Sequence, residues 1–381
     1  MPRRRPRLLL LSMYPLDEGM SGPAVRISHL RDELAKRVDL DVIDGYRGPR
    51  RLAVARYATG GRLRGLDGIY VETSTFLPAE ADVAFLGLAR ALGVPVLTYI
   101  RDAYQLFDEY YRTDTPRRWL SRHAFLPFVR ALGAVSSRLA FPTAGLASAV
   151  GRDPADIVLL PPGSPPPAEV PREPDADQVL YVGDARWPAQ GVDRLIEAVG
   201  RARAGGAAVD LTVVSGPGQE PPRPHPAWLR VRRAEGARIH RLLPRVVATV
   251  IPRPRGPYND LALPIKLFEY LAYGRPMLVT DCIEQARVVR DADCGLVVGD
   301  SVEELAAGIT RVVTTSAGEL DRWSGNASAA AVRASWAARA ERIVEILAGS
   351  GSGVRPRVAT KRVPRSPLAP RATNYEGDAS N

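Results

Sequence analysis

Residues 259–281 read NDLALPIKLFEYLAYGRPMLVTD, and this stretch decides the fold. Pro264 brings a fixed φ and no N–H, both of which suit the first turn of a helix. Gly274 is placed to end that helix, and Pro276 precedes the apolar run Met277–Thr280, which reads as a strand. Lys266 and Glu269 lie three apart and share a helix face, with Lys266 near the end where backbone N–H groups lack helical acceptors. A helix start joined to an ammonium suits a diphosphate, and a carboxylate one turn later can accept hydrogen bonds from a ribose diol. The same spacing also describes an amphipathic surface helix closed by an i,i+3 ion pair.

Working outward, short apolar runs alternate with helical patterns in both directions. Gln178–Val182, Leu211–Ser215, Val247–Ile251 and Gly295–Val298 read as further strands, with helices at 191–204, 264–273, 302–313 and 327–347. The first half repeats the rhythm: strands at Leu8–Tyr14, Leu40–Ile43, Gly68–Val71 and Val94–Ile100, and helices at Ala24–Arg37 and 81–92. Strands this continuously apolar are buried on both faces, which predicts α/β domains with parallel sheets. The run PPGSPPP at Pro161–Pro167 can continue neither element and marks a joint between two halves. The expected boundaries are a basic extension at 1–7, a first domain at 8–165, a linker at 166–177, a second domain at 178–348 and a basic tail at 349–381. In open α/β sheets ligands sit beyond the carboxyl ends of the strands, so a ligand between the two domains is expected.

The pattern formed by Pro264, Lys266, Glu269, Tyr270, Leu271, Ala272, Gly274 and Pro276 resembles the nucleotide-binding segment of family 4-type glycosyltransferases. It is closest to the variant with P-x-K-x-x-E in place of the paired-glutamate motif. Tyr181-Val182-Gly183 with Gly191 to Ala198, Val213–Gly218, Cys294–Val297 with Glu284, Gly19–Gly22 and Leu160–Gly163 resemble further landmarks of that family in the same order. Two positions depart from it: Leu261 stands where the first glutamate of the pair would fall, and Gln190 replaces the lysine before Gly191.

The resemblance implies an α/β protein of GT-B architecture, two Rossmann-like domains whose parallel sheets face an interdomain cleft. It implies acceptor binding by 8–165 and nucleotide-sugar binding by 178–348. Glu269 would hold the ribose hydroxyls, and the amides of residues 262–265 (Ala262, Leu263, Pro264, Ile265) would line the diphosphate. Gly183 and Gly216 would let the donor approach the backbone, and Lys266 or Arg186 would stabilise the departing nucleoside diphosphate. Gly19, Ser21 and Gly22 would form an acceptor or phosphate loop. Asp102, after the strand 94–100, would orient or deprotonate an acceptor hydroxyl, or it caps the following helix; Arg101 can pair with it. Glu72, at the end of another strand, is a lesser candidate. The reaction implied is sugar transfer from a nucleotide diphosphate-sugar to a glycan, lipid-linked or small-molecule hydroxyl, with retention. The donor is a co-substrate; no cofactor and no obligatory metal are expected. A nucleotide-sugar epimerase of the same fold is the enzymatic alternative, and a non-catalytic basic-tailed membrane or RNA binder is the other.

Charge at first favours that last alternative, since the 381 residues hold 52 Lys+Arg against 42 Asp+Glu, a net +10. The excess is local: 1–7 holds four arginines and no acid, 349–381 a net four positive charges, and 8–348 is left near +2. A nucleic-acid-reading face is therefore not expected. Two cysteines, Cys282 and Cys294, are too few for a disulfide framework. The apolar run Leu8–Leu11 is too short for a signal peptide, and no run reaches the ~20 residues of a membrane span. A cytoplasmic protein is expected, with peripheral contact to an anionic membrane through the basic ends or through 116–141, where arginines mix with Trp119, Phe125 and Phe128. Pro127 is expected to interrupt that segment as a helix. Asp291-Ala292-Asp293 has the D-x-D form of some metal sites. The form recurs at Asp39/Asp41 and Asp175/Asp177, and it discriminates nothing. The stretch Gly216-Pro217-Gly218 lacks the full dinucleotide fingerprint.

Overall fold

The apolar runs pair side by side in two sheets because neither face of them can be left in water. The computed structural model describes residues 4–16, 22–74 and 79–349. The first sheet uses β1 (Arg7–Ser12), β2 (Asp39–Ile43), β3 (Gly68–Glu72), β4 (Val96–Tyr99), β5 (Arg138–Phe141) and β6 (Val158–Leu159), in the order β2-β1-β3-β4-β5-β6. Its helices are α1 (Gly22–Ala35), α2 (Arg47–Thr59), α3 (Glu80–Ala91), α4 (Pro116–Val135) and α5 (Ala144–Ala149). The second sheet uses β7 (Gln178–Val182), β8 (Asp210–Val214), β9 (Leu229–Arg232), β10 (Val246–Ile251), β11 (Met277–Thr280) and β12 (Gly295–Val298), in the order β12-β11-β10-β7-β8-β9. Around it lie α6 (Val192–Ala204), α7 (Ala237–His240), α8 (Ile265–Ala272), α9 (Ile283–Ala292), α10 (Val302–Val313) and α11 (Ala317–Arg333). All strand pairs are parallel. The architecture is the expected pair of Rossmann-like domains.

Four differences from the sequence expectation have physical causes. The helix expected at 327–347 is two helices: α11 ends at Arg333, and α12 (Trp336–Gly349) returns to the first domain. Trp336, Ala340, Ile343 and Leu347 recur at helical spacing and are buried with Leu8, Leu10, Ile27, Leu30 and Tyr70. The second domain therefore does not extend to 348. The two crossings between domains lie side by side, with the Ser164 N–H donating to Ala334 O (2.9 Å) and the Trp336 N–H to Ser164 O (3.2 Å). A Cβ on Gly163 would lie 2.4 Å from the Trp336 ring, so this joint admits only glycine.

The linker expected at 166–177 is docked rather than free. The Ala168 N–H donates to Ala272 O (2.7 Å), and buried Arg275 donates to the carbonyls of Val170, Pro171 and Leu243. Residues 4–7 are likewise no loose basic arm: Arg4 pairs with Asp67, Arg7 begins β1 and pairs with Asp41, and Arg5 donates to Ala35 O. Pro127 sits inside an unbroken α4. The tail beyond Gly349 and the loop residues Gly19 and Ser21 lie outside the described residues.

Candidate active site

The strand order of the second sheet reverses between β7 and β10, since the chain runs from β7 out to β9 and then returns to β10 on β7's other side. Loops leaving two adjacent strands in opposite directions open a crevice at that point. Gly183 follows β7 there, Pro252 and Arg253 follow β10, and α8 begins just beyond.

Pro264 is the residue before α8, extended at φ −70 and ψ 139, and Gly274 closes the helix at φ +59. Lys266 does not pair with Glu269 across the helix surface, which corrects the ion-pair alternative. Its Nζ turns toward β7 and donates to Tyr181 Oη (2.8 Å) and Gln190 Oε1 (3.0 Å), lying 4.2 Å from the centre of the Tyr181 ring. Tyr181 Oη in turn donates to Asp184 O (2.9 Å). Gln190, the position where the sequence departs from the lysine of the resemblance, is thus where the Lys266 ammonium arrives. Gly183 holds φ +135, and a Cβ there would lie 2.6 Å from Lys266 Nζ. Burial pushes the Lys266 amine down to about 7, and the nearby Arg253 charge adds to this; Glu269 and Asp184 pull the other way. Burial pushes the Glu269 carboxyl up, against the opposing pull of Lys266.

The amides of residues 262–265 do not act as one set. Pro264 has none, and the Ala262 N–H already donates to Tyr258 O (3.1 Å). Among the described residues the amides of Leu263, Ile265 and Lys266 have no protein acceptor, so they are the donors this helix end offers. Gly22 begins α1, and a Cβ on it would lie 3.5 Å from Ile265 Cδ1. The start of α1 therefore abuts the start of α8 across the domain boundary.

Gly216 and Arg186 sit farther along the same end of the sheet. The Gly216–Gln219 turn is tied to the β7 loop by the Ala185 N–H donating to Gln219 O (2.9 Å). Arg186 is exposed and does not join Lys266; with Glu220, Pro221, Pro222, Arg223, His225 and Val231 it lines a cavity of about 340 Å³. Leu261, where the resemblance would place a glutamate, packs across the domain boundary instead. Its carbonyl accepts from Thr143 Oγ1 (2.7 Å), and its side chain lies 2.7 Å from where a Cβ on Gly145 would be.

On the first-domain side, Asp102 is 9% exposed and accepts from Arg101 Nε (3.1 Å). It does not cap the next helical turn, Tyr104–Leu106, whose flanking residue is Ala103 and which has no side-chain cap. Beyond it Tyr104, Phe107 and Tyr110 pack on Tyr258 of the second domain, with ring centres 4.6, 5.4 and 4.6 Å away. Tyr110 Oη donates to Asn259 Oδ1, and the Tyr258 N–H to Glu109 Oε1 (3.2 Å). The negative charge of Asp102 and the positive charge of Arg253 both act on Tyr104 and Tyr258, so both groups lie near this aromatic cluster. Glu72 is fully buried against Arg26 and Tyr70 and faces no open space.

Residues 176–315 match the family model of glycosyl transferases group 1. No curated protein matches the sequence. Among solved structures the chain is similar to WaaG, a glycosyltransferase involved in lipopolysaccharide biosynthesis, with 16% identity, TM-score 0.59, and coverage of 90% of this chain and 99% of that one. It is similar to Anabaena HepE in complex with UDP and glucose, with 13% identity, TM-score 0.60, and coverage of 90% and 99%. It is also similar to an E. coli trehalose-6-phosphate protein bound with UDP-2-fluoro glucose, with 12% identity, TM-score 0.60, and coverage of 91% and 99%. The chain thus has the GT-B fold across both domains, and its second domain carries the stretch that matches the group 1 glycosyl transferase model.

Proposed function

We propose that the protein transfers a sugar from a nucleoside diphosphate-sugar to an acceptor hydroxyl, with retention and without an obligatory metal. The observation that carries this reading is the convergence at the β7–β10 crevice: Lys266, three free amides at the start of α8, the bare backbone of Gly183, and Glu269 one turn along. The amides and the ammonium take the diphosphate, and Glu269 accepts from the ribose hydroxyls. As the bond from the anomeric carbon to the phosphate oxygen breaks, negative charge grows on the departing diphosphate. Lys266 and the α8 dipole meet it there, which lowers the barrier. The acceptor oxygen forms the new bond to the anomeric carbon, and its proton leaves to a base, the role assigned to Asp102. Closely packed domains exclude water that would otherwise take the sugar. Metal independence rests on the resemblance to GT-B enzymes in which protein cations and a helix dipole meet the leaving diphosphate. Retention rests on the resemblance to retaining GT-B enzymes.

Peripheral membrane contact has one supporting observation. Trp119 and Leu120 near the start of α4 are 54% and 58% exposed and neighbour the exposed Arg117 and Arg118, a pattern suited to an anionic interface. Among the described residues no helix is long and apolar enough to cross a membrane.

Thermal shift against UDP, GDP and dTDP tests the donor reading, since a ligand at 100 times its Kd adds ~2.7 kcal/mol of stability. One of them is expected to raise the melting temperature of the wild type, and Glu269→Gln is expected to weaken that nucleotide. No response to any of the three rejects the reading, and undiminished affinity in Glu269→Gln rejects the ribose assignment.

A further inference from the structure

Four arginines are buried among the described residues: Arg26, Arg50, Arg253 and Arg275. Three are accounted for by the protein itself. Arg26 pairs with Glu72 and Arg50 with Asp82, while Arg275 spends its donors on the carbonyls of Leu243, Gly274, Val170 and Pro171. Arg253 differs. It is 5% exposed, its Nε has no partner, and its terminal nitrogens donate to neutral oxygens, Asn259 Oδ1 and Ala262 O (3.4 Å), with the Tyr110 hydroxyl also hydrogen-bonded to it. No carboxylate pairs with it among the described residues. A buried guanidinium without an anion is expensive, and the cost falls when a ligand brings one.

Its position says which ligand. Arg253 stands two residues beyond β10, in the crevice that the strand order opens between β10 and β7. Its Ala262 contact ties it to the loop entering α8, and its charge is felt by Lys266. The amide of Asn259 that receives Arg253 also receives Tyr110 Oη from the first domain, and its Nδ2 donates to Pro254 O (2.8 Å). The guanidinium is thus aimed by a relay that starts on the opposite domain.

We propose that Arg253 is a phosphate-binding residue of the donor site, a permanent positive charge for the diphosphate whose orientation is set from the first domain through Tyr110 and Asn259. This rests on the donor reading above and adds a residue to it. Arg186, exposed at the 340 Å³ cavity, is then not the partner of Lys266.

The test is calorimetric titration of the full chain with inorganic pyrophosphate and with UDP, GDP and dTDP beside their monophosphates. The wild type is expected to favour diphosphate over monophosphate. Arg253→Gln should lose pyrophosphate and diphosphate affinity by on the order of tenfold to a hundredfold, the range for hydrogen bonds to a charged group, and its diphosphate preference should collapse. Arg253→Lys keeps the charge but not the fork; it should lose less and decides the matter if the glutamine variant does not fold. Tyr110→Phe leaves Arg253 in place and should weaken pyrophosphate severalfold. Wild-type diphosphate preference in Arg253→Lys and Arg253→Gln, or equal losses for mono- and diphosphate, overturns the proposal and leaves Arg253 a brace for the 254–262 loop. Failure of the wild type to bind pyrophosphate or any of the three diphosphates overturns the donor reading itself.

Discussion

Donor binding should draw a proton onto Lys266. In the free protein its amine titrates near pH 7, because burial and the Arg253 charge disfavour the ammonium more than Glu269 and Asp184 favour it. Tyr181 and Gln190 accept its hydrogen bonds without adding charge. At pH 8 the amine is therefore about nine-tenths neutral. A diphosphate beside it favours the charged form, so binding at pH 8 should take up ~0.9 proton, and affinity should fall about tenfold, or ~1.4 kcal/mol, for each pH unit above 7. The nucleotide's own last phosphate proton leaves near pH 6, so it is gone in both states by pH 8 and does not blur the count. Calorimetry at pH 8 in two buffers of different ionisation enthalpy reads the uptake directly, and titrations at pH 8 and 9 read the slope. Lys266→Met should abolish both. Identical heats in the two buffers with a flat affinity from pH 8 to 9 would refute the recruitment of this amine.

The same lysine makes a stability prediction of definite sign. Its folded pKa of about 7 lies below the unfolded value of 10.5, so the unfolded chain holds the extra proton between those values. Its contribution to stability is complete above pH 10.5 and is lost as pH falls through 7, with an upper bound of about 5 kcal/mol from the size of the shift. Lys266→Met should therefore gain on the wild type in melting temperature more at pH 6 than at pH 9. An equal difference at both would mean that the amine is not desolvated.

Three further perturbations probe other parts of the site. Gly183→Ala puts a Cβ 2.6 Å from Lys266 Nζ at a φ of +135, so it should cost about 1–3 kcal/mol in stability and lower nucleotide affinity, measured by melting and calorimetry; wild-type values in both would separate Gly183 from the lysine. Asp102→Asn should reduce transfer by on the order of 10²-fold in a product assay while nucleotide affinity holds, and normal transfer would remove it as the base. The pair Trp119→Ser and Leu120→Ser should reduce binding to anionic liposomes in a flotation assay and spare transfer to a soluble acceptor; unaltered flotation would leave α4 without a membrane role.

What the sequence made legible follows from the range over which each signal acts. The i,i+3 placement of Lys266 and Glu269 on α8, the glycine that ends α8 and the strand that follows are all written within about twenty residues, and local spacing suffices for them. The neighbours that Lys266 chooses are not local. Tyr181 and Gln190 lie 85 and 76 residues away, and they meet it only because β7 adjoins β10, an adjacency that no periodicity encodes. Arg253 was hidden for the same reason: in IPRPRGPY it reads as one arginine of a proline-rich loop. The available signal was its place immediately past the strand Val247–Ile251, where sheet folds put ligands. α12 was merged with α11 because both are amphipathic and Ser335 between them is neither proline nor glycine. Its desertion to the first domain is fixed by the cover it gives Leu8, Leu10 and Tyr70.

The basic excess takes a different meaning from the same comparison. Arg4, Arg5 and Arg7, which composition alone would assign to a partner, are engaged by Asp67, Ala35 and Asp41 of the first domain. Arg253, which lies in the nearly neutral body, is a buried guanidinium with no carboxylate partner and an Nε without a partner among the described residues. Net charge counts each arginine equally, whereas desolvation weights them by what surrounds them. On the proposal made for Arg253, a substrate anion is recognised by one interior guanidinium without a carboxylate partner more than by the +10 of the whole chain.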